Sequence, residues 1–282
     1  MLDKIYLEIT NVCNLNCSFC HKTSRDKKFM TLEEFNILTD KLCGRAKYLY
    51  FHLMGEPTLH PLLPRFIEIS KQKGFVPIIT TNGSLLGERG DALLSALPYK
   101  ISISLHAPDA NPTFADESYL DSCIRFAKRA ADLGCIVVLR IWNLGSDADN
   151  SAILEKLHAE FTGEWVSLYR ENNQLLSKKI FLEWGDRFDW PDLSAPECGI
   201  DTDMFCHGLR NHIGVLCDGS VVPCCLDSDG VLNLGNLFEN ELEKILSSPR
   251  AKAIYDGFSR RRATQELCRK CGYAKCFSKN QG

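Results

Sequence analysis

At 282 residues with 45% hydrophobic content, the chain is long enough to bury a full core, as one large domain or as a barrel with an appendage. A formal net charge of -3 leaves no basic footprint of the kind phosphate neutralisation demands, so nucleic acid is not an expected partner. No apolar run approaches the roughly 20 residues that cross a bilayer and no secretory signal is evident, so a cytoplasmic protein without a membrane partner is expected; in that reducing setting 14 cysteines point to metal rather than to disulfides.

The first predicted element is a strand, carried by the alternation of Ile5, Leu7 and Ile9. It runs into Cys13, Cys17 and Cys20, a C-x3-C-x2-C spacing with Phe19 just before the third cysteine. Three thiolates are an odd number for a closed site, because a structural zinc or a closed iron–sulfur cluster wants four ligands. The trio would hold a [4Fe-4S] cluster at three irons and leave the fourth open to a small chelating molecule. The competing readings are a zinc knuckle that borrows a distant ligand, and three buried thiols.

After a basic segment, Thr31 and Glu34 form a capping box, and Leu32, Phe35, Leu38 and Leu42 recur at helical spacing. Tyr48 to Leu53 reads as a strand ending in Met54-Gly55-Glu56-Pro57, followed by a helix that Gly74 stops. Val76 to Thr81 is a strand ending at Asn82, Leu85 to Leu97 a helix, and Lys100 to Leu105 a strand leading to His106. Tyr119 to Leu133 is an amphipathic helix, Cys135 to Trp142 a strand containing Arg140, Asn150 to Phe161 a helix, and Val166 to Tyr169 the sixth strand. Such alternation predicts a parallel sheet with right-handed crossovers, whose chemistry would gather at the carboxyl ends of the strands.

From Glu171 to Pro196 the rhythm breaks, and the segment reads as a connector that can contribute a strand around Ile180, Phe181 and Leu182. Beyond it the cysteine density rises. Ile213 to Leu216 and Val221 to Pro223 flank an Asp218-Gly219 hairpin turn, and two short helices cover Glu241 to Ser247 and Arg250 to Gly257. Cys206, Cys224, Cys268 and Cys271 are spaced C-x17-C-x43-C-x2-C, a closed set of four that by spacing alone suits zinc or iron–sulfur equally.

The cysteine trio, with its aromatic and its preceding strand, resembles the signature of the radical S-adenosylmethionine (radical SAM) superfamily. The resemblance implies an α/β fold: a partial (β/α)6 TIM-like barrel over residues 1–185, with a small cysteine-rich α+β extension over residues 186–282. It implies that the amino and carboxylate groups of S-adenosylmethionine chelate the open iron of the cluster at Cys13, Cys17 and Cys20. An electron from a low-potential donor such as flavodoxin or ferredoxin would then yield a 5′-deoxyadenosyl radical that abstracts hydrogen from an unknown small-molecule or peptide substrate.

Met54-Gly55-Glu56-Pro57 is similar to the family's G-G-E-P motif, which gives Gly55 and Glu56 the methionyl ammonium, with Met54 standing where the first glycine is usual. Arg140 is placed where similar proteins set a cation against the S-adenosylmethionine carboxylate; its other reading is a salt bridge to a barrel carboxylate. Ser104 and Asn82 either bind the ribose or cap their strands, Phe19 joins the cofactor-binding set, and His21 and His106 are scaffold residues or proton shuttles.

The D-G-S-V-V-P-C-C and L-G-N-L runs resemble the SPASM or twitch auxiliary-cluster extension, which favours a second [4Fe-4S] cluster at Cys206, Cys224, Cys268 and Cys271. Only Cys276 follows the C-x2-C pair, so one auxiliary cluster is expected. Cys43, Cys123 and Cys135 fall on predicted core faces, whereas Cys198, Cys217, Cys225 and Cys276 are unassigned thiols. The expected activity is an oxidoreductase-like dehydrogenation or modification of a peptide or small molecule. The alternatives are a radical epimerase that uses a free cysteine as hydrogen donor, and a non-catalytic iron–sulfur or zinc scaffold.

Overall fold

The computed structural model describes residues 2–111, 113–114, 116–168, 172–197 and 204–277, with backbone alone over 275–277. Tyr169, Glu171 and Cys198, and the side chain of Cys276, lie outside the described residues.

Five strand–helix units open the chain. They are β1 (Leu2–Leu7) with α1 (Leu32–Leu42), β2 (Ala46–Tyr50) with α2 (Leu63–Gln72), and β3 (Val76–Thr81) with α3 (Leu86–Ala96), followed by β4 (Lys100–Ser104) with α4 (Tyr119–Asp132) and β5 (Ile136–Leu144) with α5 (Ser151–Glu160). Three strands follow, β6 (Val166–Ser167), β7 (Asn173–Ser177) and β8 (Ile180–Asp186). The remainder holds β9 (His212–Val215), β10 (Ser220–Val222), β11 (Gly235–Asn236), α6 (Leu242–Leu246), α7 (Pro249–Ser259) and α8 (Glu266–Arg269). Among the described residues no helix is long and apolar enough to cross a membrane.

The eleven strands of the described residues form one sheet in the order β11-β10-β9-β1-β2-β3-β4-β5-β8-β7-β6. Pairing is parallel from β9 through β8 and antiparallel at both margins. The sixth barrel strand is therefore β8, which pairs parallel with β5, and not the run beginning at Val166. Val166 and Ser167 are exposed and pair antiparallel with β7 at the far edge. The place beside β5 needs apolar side chains toward the helices, and Ile180 and Leu182 supply them, both fully buried. The expected division at residue 185 thus falls inside β8, and the cysteine-rich part shares the barrel's sheet through β9 and β1.

Strand periodicity separates the two faces of this curved sheet. Ile5, Leu7, Leu49, Ile79, Ile101, Leu139 and Leu182 turn outward into the helix layer, where Phe35 stacks on Phe66 with ring centroids 4.0 Å apart. The other parity (Lys4, Tyr6, Tyr50, Thr80, Ser102, Arg140, Glu183) lines a cavity of about 1000 Å³. The polar residues within the apolar strand runs are therefore the lumen. The capping box of α1 forms as expected: the Thr31 hydroxyl accepts from Glu34 N at 3.1 Å and Glu34 Oε2 accepts from Thr31 N at 2.7 Å. Cys123 and Cys135 are buried, but Cys43 is exposed, because α1 ends at Leu42 and leaves it on the following turn.

Candidate functional site

The loop after β1 is closed at its base and held at its tip. At the base Met30 N donates to Ile9 O at 2.9 Å, and the Asn11 side chain accepts from Lys28 N and donates to Asp26 O, both at 2.8 Å. At the tip the buried Asn111 donates to the Cys17 sulfur at 2.9 Å and to Ala107 O at 2.7 Å, while its Oδ1 accepts from Asn16 N at 2.5 Å. Cys13, Cys17 and Cys20 line the cavity together with Phe19. Burial raises the pKa of the Cys17 and Cys20 thiols, and Cys17 is partly restored by the Asn111 hydrogen bond. Metal loading must therefore release protons.

The remaining predicted contacts converge on the same cavity. Gly55, Glu56, Asn82, Ser104, Arg140 and His106 all line it. Gly55 has φ +75°, and a Cβ there would stand 2.5 Å from Thr10 O and 2.9 Å from Val12 O. Only a glycine lets this turn approach the start of the cysteine loop, whose Val12 O accepts from Glu56 N at 2.8 Å. Met54 is not in the left-handed region, so the motif's first position tolerates a side chain.

Glu56 is buried, and its carboxylate oxygens carry unequal loads. Oε1 accepts from Thr58 N, Thr58 Oγ1 and Thr81 Oγ1 at 2.9, 2.6 and 2.7 Å, whereas among the described residues Oε2 accepts from Asn82 N alone, at 2.7 Å. Burial raises its pKa against the pull of these four donors. Asn82 uses its side chain on Asn14 Oδ1 and on Ser84, so it braces the cysteine loop. The single Tyr119 Oη proton is shared between Asn82 O and Ser104 O, 2.7 and 3.0 Å away, tying two strand ends together.

Arg140 does face a barrel carboxylate, with Nε 3.6 Å from Glu183, yet that buried nitrogen makes no hydrogen bond. Its guanidinium lies 3.5 Å from the Trp142 ring centroid, a cation–π contact that fixes the plane. His106 Nδ1 is approached by Trp142 N at 3.2 Å and by Arg140 O at 3.1 Å. The amide can only donate and the carbonyl can only accept, so the tautomer of neutral His106 decides which of the two contacts Nδ1 makes. Burial lowers its pKa to about 4, and it stays neutral against Phe19. His21 lies 3.8 Å from Asp229, beside Trp190.

The second thiol set borders the cavity as well. Cys206 and Cys224 line it, and both are close enough to Cys268 and Cys271 to raise their pKa values, though burial is the larger cause. Backbone N–H groups point at sulfur in both sets: Leu15 N at Cys13 and Leu226 N at Cys224, each 3.5 Å, and Gly208 N at Cys206, 3.3 Å. Donors aimed at sulfur favour the thiolate, and two thiol-rich sites suit soft metals or clusters.

Several site residues escape sequence reasoning. Glu8, fully buried at the end of β1, accepts from both Arg25 Nη2 contacts at 2.7 and 2.8 Å, while Arg25 Nε donates to Ser228 O at 2.8 Å. Thr23 Oγ1 and Ser24 N donate to Asp229 Oδ1 at 2.6 and 2.9 Å, so the cysteine loop is clamped to the cysteine-rich part. An acidic residue interrupting an apolar strand was the available signal for Glu8. Nothing local marked Asn111 or His212, and the sequence offers Cys225 only as an unassigned thiol. The sulfurs of Cys224 and Cys225 and a ring nitrogen of buried His212 lie within 4.8 Å of one another, and among the described residues neither His212 nitrogen has a hydrogen-bond partner. Cys217 is buried against Arg25, away from the cavity.

Comparison with known proteins gives two family matches: the Radical SAM superfamily over residues 7–155, more than half of the chain, and SPASM, an iron-sulfur cluster-binding domain, over residues 206–272. A GTP 3′,8-cyclase from Chlorobaculum tepidum is 32% identical over 112 residues, 38% of this chain and 34% of that protein. A tungsten-containing aldehyde ferredoxin oxidoreductase cofactor-modifying protein from Pyrococcus furiosus is 40% identical over 86 residues, 29% of this chain and 24% of that protein. The chain thus spans about a third or less of the length of these relatives. Among solved structures, BtrN in complex with AdoMet and 2-DOIA superposes with a TM-score of 0.63 at 19% identity, covering 96% of this chain and 93% of that one. Streptococcus suis SuiB bound to precursor peptide SuiA gives 0.62 at 16% identity, covering 98% and 70%. These likenesses carry the fold.

Proposed function

The chain belongs to the radical SAM superfamily, and from that premise we propose that it cleaves S-adenosylmethionine reductively and abstracts hydrogen from a small-molecule or peptide substrate held in the barrel cavity. The observation that carries this reading is that Cys13, Cys17, Cys20, Glu56, Ser104 and Arg140 line one cavity with Cys206 and Cys224. A [4Fe-4S] cluster on the first three cysteines supplies, with S-adenosylmethionine and one electron, a 5′-deoxyadenosyl radical. Glu56 Oε2, with a single donor among the described residues, accepts from the methionyl ammonium, and Arg140, whose Nε faces Glu183 at 3.6 Å without a hydrogen bond, donates to the carboxylate. Ser104 hydrogen-bonds the ribose, Asn82 braces the cysteine loop beside it, and Phe19 with neutral His106 forms a dry wall.

Cys206, Cys224, Cys268 and Cys271 hold the second cluster, whose place beside the cavity suits removal of a second electron and a net oxidation. A cytoplasmic low-potential donor such as flavodoxin or ferredoxin reaches the first cluster from the side of exposed Cys13. A second reading, epimerisation, is favoured by one observation: Cys225, a thiol outside both ligand sets, lines the same cavity and could return a hydrogen atom.

The test is 5′-deoxyadenosine formation from S-adenosylmethionine under dithionite. Glu56→Gln should weaken S-adenosylmethionine binding by roughly 1.5–3 kcal/mol, the range for a hydrogen bond to a charged group. A cluster-loaded wild type that forms no 5′-deoxyadenosine sinks the reading. Solvent deuterium appearing in recovered substrate, and lost in Cys225→Ala, would select epimerisation over oxidation.

A further inference from the structure

The floor of the barrel carries charge that the reading above leaves without a role. Register sets its depth. Ser104, Arg140 and Glu183 stand side by side near the mouth, whereas Lys100 shares a row with Tyr6, Tyr50 and Ile78. Lys100 is four residues below Ser104 on β4, about 13 Å at the usual rise of a strand. Lys4 enters one step lower on β1, and its ammonium lies 5.4 Å from the centroids of both the Tyr6 and Tyr50 rings.

Neither ammonium has a hydrogen bond or ion pair among the described residues. The nearby carboxylates are otherwise engaged. Glu183 faces Arg140 at 3.6 Å and accepts from Trp142 Nε1 at 3.1 Å, Glu56 is enclosed by its four donors, and Asp3, on the exposed rim, accepts from Asn211 Nδ2 at 2.7 Å. Burial lowers the pKa of Lys100; Glu183 opposes that, and the nearby cations Arg140 and Lys4 add to it. The Tyr48 and Tyr50 side chains border the same space. Two cations share a partly buried lumen with aromatic walls and no dedicated counter-ion, an arrangement that costs free energy until an anion arrives.

We propose that Lys4 and Lys100 form a subsite for an anionic group of the substrate, a carboxylate or a phosphate on a small molecule that enters the lumen with this group foremost. The carbon to be attacked then remains above, level with Arg140 and the cysteine loop. The inference rests on the proposed function in taking the cavity as the substrate site. It narrows the substrate to one that presents an anionic group, which an uncharged peptide segment lacks.

The test uses the cluster-loaded full chain without S-adenosylmethionine. Inorganic phosphate and, separately, succinate are titrated against chloride at matched ionic strength while the thermal midpoint is read. One of them should raise the midpoint saturably, and the one acting at lower concentration distinguishes phosphate from carboxylate. Lys4→Met and Lys100→Met should each weaken the response roughly tenfold or more, and the double variant should abolish it, whereas Lys100→Arg should keep it. Absence of a saturable shift in the wild type, or an equal shift in the double variant, overturns the subsite. 5′-Deoxyadenosine formation by the same wild-type sample is scored separately. Cleavage without anion binding removes only the subsite, and anion binding without cleavage removes only the radical reading.

Discussion

Asn111 and Cys17 are 94 residues apart in sequence and joined by a 2.9 Å contact from amide nitrogen to sulfur. The same side chain accepts from Asn16 N, so one residue of the loop after β4 sets both the backbone and a thiol of the cysteine loop.

Asn111→Ala should therefore leave the fold intact and loosen the first cluster. Loss of these bonds is worth roughly 1–3 kcal/mol where a donor is left unsatisfied. The reconstituted variant should release iron to a chelator several-fold faster than the wild type, in the fraction that Cys13, Cys17 and Cys20 hold. Unchanged release kinetics would mean that the amide–sulfur contact has no part in holding the loop.

Anaerobic reconstitution should give about eight irons per chain, four for each four-iron cluster, and about four after joint replacement of Cys13, Cys17 and Cys20 by Ala. A wild type that saturates at about four irons with one zinc would assign the Cys206, Cys224, Cys268 and Cys271 site to zinc.

Two glycines with nearly the same backbone angle should behave differently. Gly55 and Gly44 have φ +75° and +73°, but an added Cβ meets backbone atoms at 2.5–2.9 Å in the first case and nothing within 4 Å in the second. Gly44→Ala should cost about 1 kcal/mol, the conformational penalty alone. Gly55→Ala should cost roughly 3 kcal/mol or more, because the backbone of the cysteine loop must also move. Denaturant unfolding of both variants checks the difference, and equal costs would contradict the close approach.

Acid should destabilise the protein well above the carboxylate range. Burial lowers the pKa of His52 to about 3 and of His106 to about 4, and lowers that of His60. Each folded value is below the unfolded value near 6.5, so the unfolded chain binds more protons as pH falls. Their contribution is fully present above about pH 6.5 and is lost progressively toward pH 4. His52 and His106 together give a slope of roughly 2.5–3 kcal/mol per pH unit below about pH 6. Urea midpoints at pH 7 and 5.5 should show it, and His52→Leu should remove one histidine's share, about 1.4 kcal/mol per pH unit. A midpoint independent of pH over this interval would contradict the buried neutral state.

Local signals made α1 to α7 and the first five strands readable, and they set out both thiol sets as candidates. The Thr31 and Glu34 box, the Gly74 stop and the apolar alternation of β1 each reflect interactions within a few residues. The run from Val166 competes locally with Ile180 and Leu182 for the place of the sixth strand, and only the vacancy beside β5 decides between them. Asn111 and His212 could not be found for the same reason in another form: each matters through partners on distant elements. Glu56 was legible by resemblance, while the asymmetry between its two oxygens depends on Thr81 and Asn82 across a neighbouring strand end.

The parallel pairing of β9 with β1 has a consequence for biosynthesis. Lys4 meets its ladder partner His212 only after some two hundred further residues have been made, and Asn211 O, which accepts from Asp3 N and Lys4 N, arrives equally late. Until then the nascent barrel presents β1 as a bare, apolar edge, the kind of surface that recruits other chains. A ribosome paused before β9 would hold an intermediate with that edge open, and expression of the barrel without its cysteine-rich part would leave the edge open for good.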